Sequence, residues 1–445
     1  MSKTQANKKA DHVPFGKFLA WQMRPISLGA VTIITMYLSI YCTDTLKMPA
    51  ALVGTLLMAS KIFDGVTDII AGWLVDNTNT KLGKGRPYEL SLIGVWVCMF
   101  LLFAGSDEWS MTAKAIWIFI MYTLVFSVFS TLLNAAETPY IIRAFGSNEN
   151  VTKVASYGGL IVTFGSMIVS ISFPIFMGTI ATGVSGWRKL MLMYSVPLLV
   201  LGMTRFFFVK EDCVPENEET SEHISVKDIF AVLSSNKYVW FAAIACMVPQ
   251  VVTSLSAASY YFTWIVGDIS LYSAIQAISI VSLFFMLVVP ALMKKFSLMK
   301  IIAGSAALGI VGYILLYFSG ANLILIAVGS LLGGLVCLPT SYLKSPLVME
   351  ISSYNDLQGK PRMEGTMAAI LNFLNKIGSA LGSFILGIML SMGGYDGSLE
   401  VQSDSAIQMI HILFGIVPAV LLVIVLISGI LYLPLNKKLK EAMRG

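Results

Sequence analysis

Twelve stretches of this chain are each long and apolar enough to cross a lipid bilayer, and few folds can accommodate that pattern. A membrane's hydrocarbon core needs about 20 mostly apolar residues per helix. The stretches are 25–45, 50–75, 88–106, 114–136, 155–177, 190–209, 238–262, 271–292, 299–319, 321–343, 365–391 and 408–433. Of the 445 residues, 56% are hydrophobic and only 12% charged, against about 25% charged in soluble domains. The charge deficit runs along the whole chain, which excludes a soluble domain with one anchor. No water-soluble core of this size could hide so much apolar surface. The expected fold is an all-α integral membrane protein with twelve transmembrane helices.

The connections are short except for 210–236, KEDCVPENEETSEHISVKDIFAVLSSN, which is acidic and polar. It divides the chain into an N-terminal six-helix bundle (1–209), a linker (210–236) and a C-terminal six-helix bundle (237–445). That layout suggests a duplicated unit related by an axis along the membrane normal, although the halves show no clear sequence identity. Taking the termini and the even-numbered connections as one side, 24 of the 30 basic residues fall there. Lys47, Lys114, Arg188 and Lys189 fall on the other side, and Lys61 and Lys376 inside spans. Basic loops stay cytoplasmic, so both termini are expected in the cytoplasm, as an even span count requires.

The five cysteines, Cys42, Cys98, Cys213, Cys246 and Cys337, are scattered and read as small buried hydrophobes. The three histidines are isolated, so no histidine metal cluster is expected. The polar start MSKTQANKKADHV has no apolar signal core, and the first span itself should direct insertion. The net charge of +5 lacks the basic–aromatic interleaving of a nucleic-acid surface.

Charges at membrane depth are costly, about 2.5–3.5 kcal/mol each on insertion scales, and so point to function. The second span reads SKIFDGVTDIIAGWLVDNT, with Lys61, Asp64 and Asp68 on one helical face. Two carboxylates one turn apart repel, and a bound Na⁺ or a shared proton would relieve this. Thr67 could add an oxygen ligand. The competing reading is plain neutralisation by lysines, a costly way to join helices. The fourth span ends TLLNAAETPYIIR, placing Asn134 and Glu137 on one face beside Pro139. The competing reading puts Glu137 at a solvated helix end. In the eleventh span, Asn372 and Lys376 lie four apart, followed by small residues that let helices approach. Lys376 is too deep to reach water, so Asp64 or Glu137 is its expected partner.

Two cytoplasmic connections, GWLVDNTNTKLGKGRPYEL and MEISSYNDLQGKPRMEG, carry mixed charges. Asp76, Arg86 and Arg143 on one side and Glu350, Arg362 and Glu364 on the other are candidates for ion pairs that close an inner mouth. Marginal strength would suit pairs that must break in each cycle. Tyr37, Tyr41, Tyr260, Tyr261 and Trp264 could stack on a sugar ring, Tyr37 foremost, though aromatics also fill cores and interface belts.

FDGVTD, GWLVDNT and GKGRPY together resemble the second-span signature of the glycoside–pentoside–hexuronide:cation symporter family, within the major facilitator superfamily. TPY in the fourth span and MEISSYNDLQGKPRMEG with NFLNK match further signatures. The resemblance spans the chain and implies the major facilitator fold, two six-helix bundles moving by alternating access. It makes Asp64, Thr67, Asp68 and Asn134 the coupling-cation group, with Asp64 and Asp68 ligating Na⁺ if Na⁺ is used. Li⁺ and H⁺ remain open, and no other cofactor is implied. Glu137, Asn372 and Lys376 fall at solute-binding positions. The family's acidic residue on the first helix is replaced by Leu28, its fifth-helix arginine falls in SYGGLIV, and an aromatic platform is replaced by Ile141.

The expected function is cation-coupled symport of a glycoside, pentoside or uronide by a monomer in a bacterial cytoplasmic membrane. The apolar replacements at Leu28 and Ile141 motivate an alternative: an exchanger, or a carrier of a non-sugar amphipathic solute. No nucleophile–base pair, metal spacing or phosphate loop supports an enzyme.

Overall fold

The computed structural model describes residues 13–146, 148–212, 237–278, 295–336, 344–357 and 364–442, with a few isolated positions between 279 and 294. The described residues are almost wholly helical, without strands beyond an isolated bridge between Thr80 and Gly83. The helices are α1 (Phe15–Thr35), α2 (Leu38–Ile40), α3 (Ala50–Asp76), α4 (Ser91–Leu102), α5 (Met111–Thr123), α6 (Thr131–Phe145), α7 (Asn148–Ile180) and α8 (Gly183–Phe208). After the linker come α9 (Lys237–Ser254), α10 (Ala257–Tyr261), α11 (Tyr272–Ile278), α12 (Leu298–Phe318), α13 (Leu323–Gly334), α14 (Lys344–Leu357), α15 (Glu364–Met392), α16 (Asp404–His411) and α17 (Val417–Ala442). In lipid every backbone polar group must bond internally, which is why apolar sequence of this length becomes helix.

Seven of these runs are long and apolar enough to cross a membrane, or eight if α1 and the bent segment Leu38–Thr45 form one span. The fold is all-α and multi-pass. Most of the expected eighth span, 271–292, and the end of the tenth lie outside the described residues, as does the linker from 213 to 236. α3 carries Lys61, Asp64 and Asp68 within its apolar length.

Hydropathy clips several helices short. The first span begins at Phe15 rather than 25, the fourth continues to Phe145 rather than 136, and the sixth begins at Gly183 rather than 190. Arg24, counted above among the basic residues of the cytoplasmic side, therefore lies inside a helix; Arg205, counted with it, already fell within the expected stretch 190–209, and both are buried. Lys114, expected at the opposite surface, is also buried, and its Nζ donates to Leu46 O at 2.8 Å.

The chain divides into two compact units, Met1–Met48 with Ala59–Thr220, and Pro49–Met58 with Ser221–Gly445. The first packs Trp21, Tyr140, Phe145, Val154 and Val209 into one cluster. The second is built on α9, α12, α15 and α17, with Ala242, Cys246, Ile302, Leu371 and Leu422 in its core. There Gly312 and Gly329 bring α12 and α13 together: a Cβ at Gly312 would stand 2.6 Å from Gly329 O. Small residues permit such approaches in membranes.

The two units share an irregularity. α1 ends at Thr35, restarts as α2 at Leu38 and runs into a π-helical turn, Tyr41–Thr45. α9 ends at Ser254, restarts as α10 at Ala257 and runs into a π-helical turn, Phe262–Val266. Both the end and the restart recur 219 residues later (254 − 35 and 257 − 38). The second break places Ser256 in the left-handed region, φ 50°, a strained state for a residue with a Cβ.

Candidate functional site

Four charged side chains meet inside the first unit. Arg24 comes from α1, Glu89 from the 3₁₀ turn Arg86–Leu90 that leads into α4, Glu137 from α6 and Arg205 from α8. Arg24 donates to Glu137 through Nη2 and to Leu133 O through Nη1 at 2.9 Å. Arg205 Nη2 lies 2.9 Å from the same Glu137 oxygen, Oε2. Glu89 Oε1 stands 3.4 Å from Arg24 Nη1 and 3.5 Å from Arg205 Nε. The Arg205 guanidinium also lies over the Trp21 ring, 3.1 Å from its centroid, with Tyr140 beside it at 4.9 Å. Such stacking suits a weakly hydrated planar cation.

Exposure separates the four. The side chains of Arg24, Glu89 and Arg205 are 3%, 1% and 0% exposed, while Glu137 is 32% exposed. Glu137 is thus the one member that a solute can reach, and it presents a carboxylate backed by two cations. Because α6 continues two turns beyond it, Glu137 is not at a solvated helix end. Its described cations are these two arginines, from its own unit.

A ladder of polar residues joins α3 to α5 and the π-helical turn that follows it, Leu124–Ser130. Ser60 and Thr123 share a hydrogen bond of 2.8 Å, and one turn on Ser127 donates to Asp64. Both rungs rest on i, i+4 pairs, Ser60/Asp64 and Thr123/Ser127. Lys61 lies in electrostatic contact with Asp64. Thr67, expected to offer an oxygen, turns its hydroxyl back onto its own helix, donating to Phe63 O at 3.1 Å and Asp64 O at 3.2 Å. Asp68 and Asn134 are exposed and Asp64 is half-buried. Sequence reading missed Ser60, Thr123 and Ser127. Their i, i+4 spacing was visible, but which helix they faced was not.

Two of the expected inner-gate residues, Arg86 and Arg143, have partners within the first unit. Arg86 Nε donates to Phe206 O at 2.9 Å, and its guanidinium sits 5.1 Å from the Phe206 ring centroid. Arg143 Nη1 lies 3.9 Å from Glu211. Glu211 itself accepts from three successive backbone N–H groups, Lys84 (2.9 Å), Gly85 (2.8 Å) and Arg86 (2.6 Å). Such a nest of amides is a carboxylate cradle. Gly83 opens it with φ 112°, where any Cβ would fall on the Glu211 carboxylate. Next to it, Tyr140 donates to Val209 O at 2.8 Å, and Lys17 pairs with Asp212 at 3.3 Å. The entrance of the linker is thereby strapped down.

In the second unit, Asn372 is exposed and Lys376 half-buried on α15, and Glu350 on α14 accepts from Tyr432 at 3.4 Å. Arg362 and the side chains of Asp76 and Glu364 lie outside the described residues. Tyr37 is 1% exposed and packs on Phe173, ring centroids 5.0 Å apart, so the stacking role expected of it has no accessible face here. Tyr41, Tyr260 and Tyr261 are core residues too. No group of three or more His, Cys, Asp or Glu side chains suited to a metal ion occurs among the described residues.

The family model for MFS/sugar transport proteins matches residues 28–437 of this chain. The chain belongs to that family. As an MFS/sugar transport protein it is a secondary transporter and not an enzyme. Similar relatives include the isoprimeverose transporter of Lactiplantibacillus pentosus, 25% identical over 92% of this chain and 86% of its own length. A putative sulfoquinovose importer of Escherichia coli (strain K12) is 27% identical, covering 91% and 87%. A putative 2,3-dihydroxypropane-1-sulfonate exporter of Salmonella typhimurium is 26% identical, covering 99% and 97%. Among solved structures, an inward-facing bacterial homologue of the human lysosomal transporter Spinster superposes with TM-score 0.70 at 13% identity, covering 96% of this chain and 98% of its own. At that identity the likeness speaks for the MFS fold alone.

Proposed function

We propose that this MFS/sugar transport protein is a cation-coupled symporter of a sugar or glycoside. The observation that carries the reading is the placing of two carboxylates within apolar helices of one unit: Glu137, half-open against two buried arginines, and Asp64, facing a serine hydroxyl. Glu137 accepts hydrogen bonds from solute hydroxyls, and the buried arginines behind it hold its carboxylate charged and oriented. Arg24 and Arg205 bring cations to the acid from other helices, where the family's fifth-helix arginine is missing in SYGGLIV. By the resemblance, Asn372 and Lys376 are further solute-binding candidates. Isoprimeverose, glucuronide and sulfoquinovose carriers among the relatives support a polyhydroxylated solute.

The coupling ion, Na⁺, Li⁺ or H⁺, is assigned to Asp64 and Asp68, with Thr67 and Asn134 as the outer oxygens. Binding there neutralises α3 and lets the loaded carrier rock between outward and inward states. Substrate then tightens ion binding by the factor by which the ion tightens substrate binding. The protein works as a monomer in a bacterial cytoplasmic membrane with both termini inside. The test is uptake by proteoliposomes of a panel of glycosides, pentosides and uronides, with and without Na⁺, for the native chain and Asp64→Asn. Gradient-driven accumulation that survives in Asp64→Asn would refute coupling at this residue.

A second reading is export or exchange, supported by the match to an exporter over nearly the whole chain and by the apolar residues Leu28 and Ile141. Counterflow of the panel solutes without any uptake driven by an ion gradient would favour it.

A further inference from the structure

Glu89 is too deeply buried to touch a solute, yet it is the least satisfied member of the charged cluster. Its two oxygens accept no hydrogen bond. It stands 3.4 Å and 3.5 Å from the two guanidinium groups, within ion-pair range but about half an ångström beyond a good N–H···O bond. The guanidinium side is unfilled in the same way: Arg24 Nε and Arg205 Nε, Nη1 and Nη2 make no hydrogen bond, Arg205 Nη2 meeting Glu137 Oε2 at 2.9 Å as an ion pair only. Buried donors and acceptors left open are costly, and here open donors face open acceptors across a small gap. What holds the gap open is Glu137, which draws both arginines to itself from the accessible side.

We propose that Glu89 is a reserve counter-ion for Arg24 and Arg205, taking both arginines when solute engages Glu137. The proposal rests on the reading of Glu137 as a solute contact. Two arginines and two glutamates keep the cluster neutral in either arrangement, so only a half-ångström shift separates the states. Releasing Glu137 then leaves no bare buried cation, and solute hydroxyls compete for it at low cost. The shift also carries information. Glu89 sits in the Arg86–Leu90 turn, and Arg86 anchors Phe206 and the Glu211 cradle. Occupancy at Glu137 is thereby linked to the loop that holds the linker entrance. Glu89 acts through the arginines and is a positioning residue.

The test uses the full chain with Glu89→Gln, Glu89→Asp, Glu137→Gln and the double variant Glu89→Gln/Glu137→Gln. Thermal melts need no solute. Each single Gln variant leaves one carboxylate for two buried arginines, a net buried charge, and is expected to melt moderately below the native chain. The double variant leaves none and is expected to fall by far more than the sum of the singles, or to fail to accumulate while both singles do. Additive melting shifts would overturn the proposal. In proteoliposomes, with the panel solute that the native chain takes up best, Glu89→Gln is expected to raise the half-saturating concentration about tenfold, the scale of one hydrogen bond to a charged group. The maximal rate should be largely kept, and Glu89→Asp should restore affinity. An unchanged half-saturating concentration in Glu89→Gln, or a loss confined to the maximal rate, would also overturn it. If the native chain takes up no panel solute, the sugar reading fails, and the melting cycle still judges Glu89.

Discussion

Glu211→Gln should release the strap that ties the linker entrance to the loop before α4. The carboxylate accepts three backbone N–H bonds at 2.6–2.9 Å, Oε1 from Gly85 and Arg86, and Oε2 from Lys84. Hydrogen bonds to a charged acceptor contribute about 1.5–3 kcal/mol each, and to a neutral one about 0.5–1.5. The amide keeps one acceptor oxygen for two of the bonds at reduced strength. Its NH₂ group must face the third N–H, donor against donor. The Arg143 pair at 3.9 Å adds little, being too long for a hydrogen bond. The expected loss is about 3 kcal/mol of local stability, which is about a hundredfold in an opening equilibrium. Hydrogen exchange followed by mass spectrometry on a peptide covering residues 80–90 should therefore accelerate about a hundredfold. A peptide from α12 should be unchanged. An acceleration below about threefold would refute the claim that the carboxylate, rather than general packing, holds this loop.

Two further outcomes are expected. Ser127→Ala removes the hydroxyl that donates to Asp64 and should change the Na⁺ or Li⁺ concentration needed for half-maximal uptake several-fold at an unaltered melting temperature, since membrane hydrogen bonds average only about 0.6 kcal/mol; an identical ion dependence would remove Ser127 from the coupling group. Gly312→Ala puts a methyl 2.6 Å from Gly329 O and should lower the melting temperature through about 1–3 kcal/mol of overpacking, which a native-like melt would contradict.

The spans and the second-span carboxylates were readable because each is an exception to its surroundings: long apolar runs against short polar loops, and Asp64 and Asp68 inside an apolar run. Arg24 and Arg205 were not readable for the converse reason. They lie near the ends of apolar runs, where a basic residue reads as an ordinary cytoplasmic anchor. The true helix start, Phe15, draws Arg24 inside, whereas Arg205 already lay within 190–209 and was read as its cytoplasmic end. Glu89 shared that fate, lying in a loop motif that reads as surface. Pairing is a second limit. Glu137 was recognisable as an acid at depth, but its partners depend on how α1, α6 and α8 are rotated about their axes, and no residue spacing within one helix records that. The charged loop residues show the same limit: Arg86 and Arg143 carried the right charge for a gate, while their engagement with Phe206 and Glu211 depends on where a linker folds back.

The matched breaks after α1 and α9 bear on how the halves can be compared. Up to the restart they keep one offset, so a residue in α1 has a counterpart in α9. At the π-helical turns they lose it: α2 has three residues before its turn and α10 has five. Two added residues turn a helix by about 200°. Tyr41 and Tyr260 lie equally far past their restarts, yet Tyr41 already opens its π-helical turn, against Phe103 and Trp187, while Tyr260 is still in α10 and meets Tyr395. Below the break the halves can serve as controls for one another in mutagenesis; above it, each has to be read alone.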